Sequence, residues 1–201
     1  AGLARWSIRY NVSGHALDDL NSDLRGPTDP ESAAKGYPRG FTFTNALQDF
    51  RTCVHALRAR GAERVIAITS STGTQAPLLE ACTEAPCIDG LVGRSSIVDQ
   101  FRSKLAALPR TVVDGWKAAG SFKFPVGGLE VTLGSALIHD IESYGLEALL
   151  PKLARRAAFL HGSADAIAPL TVLKDTLAMA PSGLAKVTEI PGGDHGLSNT
   201  E

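Results

Sequence analysis

The fold is decided by the stretch Ile66-Ala67-Ile68-Thr69-Ser70-Ser71-Thr72-Gly73, in which an apolar strand runs directly into a turn and then into a helix. A sharp turn of this kind lifts a serine hydroxyl clear of the edge of a sheet, which predicts Ser71 as a candidate nucleophile. Residues 69–74 are alternatively a polar loop that caps the next helix, since serine and threonine are common helix caps. Ser70 is a rival nucleophile, but it has no glycine two residues away on either side.

Predicted helices and strands alternate on both sides of this stretch. Short apolar runs predict strands, and apolar residues at helical spacing predict helices. Strands are expected at 5–10, 64–69, 88–92, 157–161 and 185–190, and helices at 45–60, 73–85 and 169–179. Such alternation favours an α/β domain with a mostly parallel sheet and helices on both faces.

A long segment at about 94–150 separates two of these strands, and we expect it to form a helical cap insertion within a single domain spanning 1–201. Connections this long commonly act as lids. Helices are predicted at 98–108 and 135–150, and Gly127-Gly128 indicates a tight hairpin. The segment is rich in aromatic side chains, which either form its core or bind an apolar ligand; the candidates for binding are Phe101, Trp116 and Phe122.

Two further residues follow predicted strands and carry acid–base chemistry. Asp165 comes after the apolar run that ends in His161-Gly162, and His195 comes after a Pro-Gly-Gly turn. A histidine in such a loop can accept a serine proton, and a carboxylate can fix its tautomer. Taken singly, each residue is also compatible with a solvated loop. The adjacent Asp194 is expected to point elsewhere.

The composition excludes several other classes of function. Of 201 residues, 44% are hydrophobic and 20% charged, and the formal net charge of −1 offers no basic field for nucleic acid. The three cysteines are an odd number and show no zinc-ligand spacing with a histidine, so they indicate neither a disulfide framework nor a metal site. His139-Asp140 is more typical of a helix surface than of a metal ligand pair. No cofactor motif, membrane-spanning run or signal peptide is present, so a cytoplasmic protein is expected.

The order of Ser71, Asp165 and His195 resembles that of the α/β-hydrolase superfamily, and the resemblance covers nearly the whole chain. Residues 161–169 are similar to its His-Gly-x-x-Asp-x-x-x-Pro acid loop, and Gly-Asp-His-Gly at 193–196 resembles its histidine loop. Residues 9–15 resemble a strand-end segment of the family. The chain departs from the family at Thr69, where the usual pattern has glycine.

The resemblance implies a serine hydrolase that cleaves small-molecule carboxylic esters or thioesters, with Ser71 as nucleophile, Asp165 as acid and His195 as base. The Thr72 N–H would contribute to the oxyanion hole, and no metal or cofactor would be needed. Residues 60–65 and Thr69 also resemble the bacterial luminescence acyltransferases, which leaves acyl transfer as an alternative. A third alternative is a binding protein that keeps the fold without the activity.

The resemblance also predicts that the chain is a fragment. The second oxyanion donor and several edge strands of the family would precede Ala1, and residues 2–6 would end the helix after that donor. The sequence makes no prediction about oligomeric state.

Overall fold

The computed structural model describes residues 41–126 and 129–198, and of residues 100–101, 124–126 and 129–131 it describes the backbone alone. The expectations for residues 2–6, 5–10 and 9–15 lie outside the described residues, as does the Gly127-Gly128 turn itself.

Helices and strands alternate along most of the described chain. The helices are α1 (Phe43–Ala59), α2 (Gln75–Ala81), α3 (Gln100–Ala107), α4 (Arg110–Ala119), α5 (Ala136–Ser143), α6 (Leu146–Leu149) and α7 (Leu170–Leu177). The strands are β1 (Ile66–Ser70), β2 (Gly90–Arg94), β3 (Ser121–Val126), β4 (Leu129–Gly134), β5 (Ala157–Gly162) and β6 (Ala185–Ile190). Short 3₁₀ turns occupy Ser71–Thr74 and Leu150–Lys152.

The main sheet is parallel throughout, in the order β1-β2-β5-β6. This confirms the predicted α/β class with a mostly parallel sheet. Because parallel strands all end at the same edge, the loops that follow β1, β2, β5 and β6 meet there. The residues predicted to carry chemistry belong to three of those four loops.

The two faces of this sheet differ in exposure. Ala67, Leu91 and Phe159 point into the core, where they are at most 7% exposed. Ile66, Ile68 and Leu160 lie on the other face and are exposed, with Ile68 reaching 82%. Strands in parallel sheets are usually covered on both faces. In β1, by contrast, the apolar side chains on one face are buried and those on the other face form an exposed apolar surface.

The chain divides into two compact units. In its described residues, the first unit comprises 51–101 and 144–198 and contains the parallel sheet. The second comprises 41–50 and 102–143. In the second unit β3 and β4 pair antiparallel, which confirms the predicted hairpin.

The core of the second unit is organised by Trp116 on α4. Its side chain is buried, its indole Nε1–H donates to the Leu133 carbonyl oxygen at 3.0 Å, and its ring lies 5.6 Å from that of Phe122. Helix α4 was not predicted, although Pro109 precedes it and Gly120 ends it with a φ of 74°. A proline before a helix and a glycine after it are ordinary start and stop signals. The spacing of apolar residues alone did not indicate this helix.

Asp140 has a structural role in the same unit. Its carboxylate accepts hydrogen bonds from the Thr44 N–H at 2.9 Å and the Thr44 hydroxyl at 2.5 Å, at the first turn of α1. A carboxylate at this position satisfies an unpaired N–H and complements the helix dipole.

Within the described ranges, no helix combines the length and the apolar character needed to cross a membrane.

Candidate active site

Ser71 occupies a strained position at the end of β1. Ser70 is extended, whereas Ser71 has a φ of 52°, and the chain then enters the 3₁₀ turn and α2. A left-handed conformation is uncommon for a residue other than glycine and costs about 1–3 kcal/mol, so it persists only where the surroundings enforce it. The reversal turns the Ser71 hydroxyl away from the strand and places Thr72 at the start of a helix. N–H groups at that position have no intrahelical partner.

Thr69 is held by hydrogen bonds that a glycine could not make. Its Oγ1 donates to the Val92 carbonyl oxygen at 3.2 Å and lies 3.0 Å from Thr74 Oγ1. The Thr74 hydroxyl in turn forms a 2.9 Å hydrogen bond with that of Ser96. This chain of hydroxyl groups ties the turn after Ser71 to β2, which gives a physical reason for threonine at position 69.

Gly93, which pairs with Thr69 on the neighbouring strand, leaves room for the hydrogen bonds among Thr69, Thr74 and Ser96. A Cβ at Gly93 would overlap Ser96 Oγ and would lie 2.8 Å from Phe159 Cδ1. Glycine at position 93 therefore lets Ser96 and the Phe159 ring pack directly against the backbone of β2.

The structure brings Ser71, His195 and Asp165 into one hydrogen-bonded series. Ser71 Oγ lies 3.0 Å from His195 Nε2, and His195 Nδ1 lies 2.8 Å from Asp165 Oδ2. Because a carboxylate oxygen only accepts, Nδ1 carries the proton and Nε2 presents its lone pair to the serine hydroxyl. The three residues follow β1, β6 and β5, so the parallel topology accounts for their meeting.

The carboxylate of Asp165 is buried and fully engaged. The residue is 4% exposed, and Oδ1 accepts hydrogen bonds from the Ile167 N–H at 3.0 Å and the Ala168 N–H at 2.8 Å. With Oδ1 held by the backbone of its own loop, Oδ2 is directed at His195. Hydrogen bonds to a carboxylate are among the stronger ones in proteins, so the orientation is well fixed.

The loops that carry Asp165 and His195 are joined by a backbone–backbone hydrogen bond and by another to the Ser163 side chain. The Ala164 N–H donates to the Gly193 carbonyl oxygen at 3.0 Å, and the Gly192 N–H donates to Ser163 Oγ at 2.9 Å. A Cβ at Gly162 would overlap the carbonyl group of Gly193. The glycine at position 162 therefore lets the two loops touch.

Asp194 points away from this series, as the sequence predicts. Its carboxylate accepts hydrogen bonds from the Ser198 N–H at 2.9 Å and the Ser198 hydroxyl at 2.8 Å. These bonds lower the pKa of Asp194. The residue thus stabilises the turn that follows His195.

Arg94 is a residue of the site that the sequence analysis missed. Its Nη1–H donates to the Gly196 carbonyl oxygen at 2.8 Å, and its Nη2–H donates to Ser70 Oγ at 3.0 Å. The hydroxyl of Ser70 thus faces Arg94, whereas that of Ser71 faces His195. The only sequence signal was an arginine at the end of a strand, and its significance depends on the register that pairs Ser70 with Arg94.

The predicted acyl-binding residues are Phe101, Trp116 and Phe122. Trp116 lies in the core of the second unit against Phe122, and for Phe101 the structure describes the backbone alone, within α3. Their role in binding an acyl group stays a prediction.

In the part of the chain that the structure describes, no group of three or more His, Cys, Asp or Glu side chains is arranged to hold a metal ion. All three cysteines lie within that part and none forms a disulfide. Burial raises the pKa of the Cys82 thiol to about 11. His139 is exposed, 4.0 Å from Glu142, on α5.

The parallel sheet, the strained serine turn and the strand-end order of the three residues are features of the α/β-hydrolase fold, and comparison with solved structures agrees. The esterase domain of a Rhodothermus marinus protein superimposes with a TM-score of 0.57 at 21% identity, covering 77% of this chain and 62% of that one. A putative hydrolase from Agrobacterium vitis gives 0.64 at 20% identity, covering 82% and 65%. The mouse α/β hydrolase domain-containing protein 10 gives 0.61 at 21% identity, covering 80% and 64%.

The chain has the α/β-hydrolase fold. It spans 62–65% of the length of these three structures. No protein-family model matches the sequence, and no curated protein matches it.

Proposed function

We propose that the protein is a serine hydrolase that cleaves a carboxylic ester or thioester through an acyl-enzyme on Ser71. The observation that carries this proposal is the hydrogen-bonded series from Ser71 Oγ through His195 to Asp165, with separations of 3.0 Å and 2.8 Å. Both distances are within the range needed for proton transfer and for orientation of the base.

In the first half-reaction, Ser71 Oγ attacks the substrate carbonyl carbon while His195 Nε2 takes the hydroxyl proton. The new C–O bond leaves a tetrahedral oxyanion, to which the Thr72 N–H donates a hydrogen bond. His195 then gives the proton to the leaving alcohol or thiol as its bond to the carbonyl carbon breaks. The acyl group remains on Ser71 as an ester.

In the second half-reaction, His195 Nε2 removes a proton from a water molecule, which attacks the acyl carbon. Collapse of this intermediate breaks the ester to Ser71, returns the proton to Oγ and releases a carboxylic acid. Throughout, Asp165 Oδ2 holds the Nδ1–H of His195, which orients the ring and stabilises the imidazolium. An alcohol or thiol acceptor in place of water would give acyl transfer.

The test is hydrolysis of p-nitrophenyl esters of increasing acyl length by the wild type and by Ser71→Ala. We expect the variant to lose at least about 10³-fold in kcat, because the acyl-enzyme cannot form without the Ser71 hydroxyl. Ser182→Ala is a matched control, because Ser182 is exposed in the turn before β6, at the opposite end of the sheet. Equal rates for the wild type and Ser71→Ala would contradict the proposal.

Covalent labelling provides a second readout. A fluorophosphonate probe should add to one serine, and peptide mapping should assign the adduct to Ser71. Ser70→Ala should still be labelled, because the Ser70 hydroxyl is held by Arg94. Added alcohol or thiol in the ester assay separates hydrolysis from acyl transfer, since transfer yields a new ester in place of the free acid.

A further inference from the structure

His161 is a second histidine that contacts the carboxylate of Asp165. It lies on β5 and its side chain is 0% exposed. Its Nε2 lies 2.6 Å from the carbonyl oxygen of Ala168 and 3.3 Å from Asp165 Oδ2. Because a carbonyl oxygen only accepts, Nε2 carries the proton and donates it to the Ala168 oxygen, while Asp165 Oδ2 lies 3.3 Å from the same nitrogen.

Asp165 Oδ2 is therefore approached by two imidazole rings. His195 Nδ1 lies 2.8 Å from it and His161 Nε2 lies 3.3 Å from it. Oδ1 is occupied by two backbone N–H groups of the same loop. Among the described residues, His161 on β5 and His195 in the loop after β6 are thus the two histidines that contact Oδ2.

The opposite side of the His161 ring supports a role beyond filling space. Nδ1 is buried and has no hydrogen-bond partner among the described residues. An apolar side chain at this position would avoid the cost of desolvating that atom. Both polar contacts of the ring are made by Nε2, one to Asp165 and one to Ala168, in the loop after β5.

We propose that His161 is a positioning residue that fixes Asp165 Oδ2 in the orientation in which it receives the Nδ1–H of His195. The proposal rests on the proposed function of Ser71, His195 and Asp165. His161 touches neither substrate nor reacting atoms. It acts through the carboxylate, and through the Ala168 carbonyl it also fixes the loop whose N–H groups hold Oδ1.

The donor can be separated from the volume with two substitutions in the full chain. His161→Gln keeps an N–H near the Nε2 position, whereas His161→Met fills the cavity without a donor. We expect His161→Met to lower kcat by about 10- to 100-fold with little change in KM. Losses of this size are typical when a group that orients a functional side chain is removed. His161→Gln should stay within about 5-fold of the wild type.

Rates are expressed per serine labelled by the fluorophosphonate probe, so that a smaller folded fraction does not lower them. Ile88→Ala is the control for lost stability, because Ile88 is fully buried before β2, at the opposite end of the sheet. It should keep the wild-type kcat per labelled serine. Wild-type kcat in His161→Met, or equal losses in His161→Met and His161→Gln, would overturn the proposal.

A spectroscopic measurement needs no substrate. A histidine Nδ1–H held by a buried carboxylate gives a downfield proton resonance, which should shift or broaden in His161→Met and persist in His161→Gln. If this pattern appears while Ser71→Ala keeps full activity, the proposed function fails and the positioning by His161 stands. An unchanged resonance in His161→Met overturns the positioning role alone.

Discussion

The guanidinium of Arg94 donates a hydrogen bond to the Gly196 carbonyl oxygen at 2.8 Å, and so links the end of β2 to the residue after His195. The same side chain reaches Ser70 Oγ at 3.0 Å, next to Ser71. One exposed arginine therefore connects the segment of the candidate nucleophile to the segment of the candidate base.

From this bridge we predict that Arg94→Met lowers kcat by about 10-fold while changing the free energy of unfolding by less than about 1 kcal/mol, because contacts of exposed side chains contribute little to stability. The loop that carries His195 would lose a restraint on its distance from Ser71, and small displacements of reacting groups lower the reaction rate. Ester kinetics and urea unfolding measure the two effects. Arg110→Met is a suitable control, since Arg110 is 93% exposed on α4. Unchanged kcat in Arg94→Met would contradict the prediction.

The hydroxyl of Thr69 gives a second prediction. Thr69→Val keeps the branched shape but removes the hydrogen bonds to Val92 and Thr74. The loss of these two hydrogen bonds should lower the free energy of unfolding by about 1–3 kcal/mol. Thr69→Ser should recover most of the loss. Thr188→Val, on an exposed position of β6, should change stability by less than about 0.5 kcal/mol. The measurement is urea unfolding, and equal effects at positions 69 and 188 would show that the hydroxyl chain contributes nothing.

Much of the fold was predictable because it depends on local patterns. The strand runs at 157–161 and 185–190 were predicted within a residue of their observed bounds, and the hairpin was predicted from Gly127-Gly128 without the bounds of its strands. Once the strands are parallel, residues that follow them are expected at one edge of the sheet. The order of the strands therefore predicts from the sequence alone that Ser71, Asp165 and His195 lie at the same edge of the sheet.

What the sequence did not reveal depends on contacts between distant segments. Arg94 acquires its partners through strand register and through a loop 102 positions further along the chain. Thr69 departs from the glycine pattern, and it is accommodated by hydrogen bonds to Val92 and Thr74 and by the space that Gly93 leaves. His161 is close to Asp165 in sequence, but their contact requires the loop after β5 to fold back, which no periodicity indicates.

The close approach at Gly162 gives a third prediction. A Cβ at this position would overlap the Gly193 carbonyl group, which is backbone and has no rotamer to adopt. Gly162→Ala should therefore displace the loop that carries His195 and reduce kcat by at least about 10-fold, since misplacing a catalytic group by even 1 Å can cost 10²-fold.

Gly73→Ala is its matched control, because a Cβ at Gly73 meets nothing within 4 Å and its φ is not positive. That substitution should stabilise the protein by about 0.4–1 kcal/mol through the unfolded state. Thermal unfolding and ester kinetics on both variants provide the test. Wild-type turnover in Gly162→Ala would mean that the two loops do not depend on this contact.

The ion pair between the buried carboxylate of Glu80 and the partly exposed side chain of Arg51 gives the fourth prediction. The carboxylate of Glu80 on α2 accepts hydrogen bonds from Arg51 Nε at 2.6 Å and from the Cys87 N–H at 2.8 Å. Burial by itself raises the pKa of Glu80, but the hydrogen bond from the Cys87 N–H and the contact with Arg51 outweigh it, so the pKa lies below its usual range. Glu80 therefore binds its proton more weakly in the folded chain than in the unfolded chain.

With its folded pKa depressed, Glu80 contributes stability that is fully present above its unfolded pKa of about 4.3 and is lost as the pH falls through the folded value. Glu80→Gln should be less stable than the wild type by about 1–3 kcal/mol at pH 7, because the charged hydrogen bonds to Arg51 and Cys87 are replaced by weaker ones. The difference should shrink steadily below about pH 4, where the wild-type carboxyl also becomes protonated. Urea unfolding of both proteins between pH 3 and 8 measures it. Glu84→Gln, an exposed carboxylate of the same chain segment, should change stability by less than about 0.5 kcal/mol. A gap between Glu80→Gln and the wild type that stays constant down to the lowest pH would mean that lost packing, rather than the charge of Glu80, is responsible.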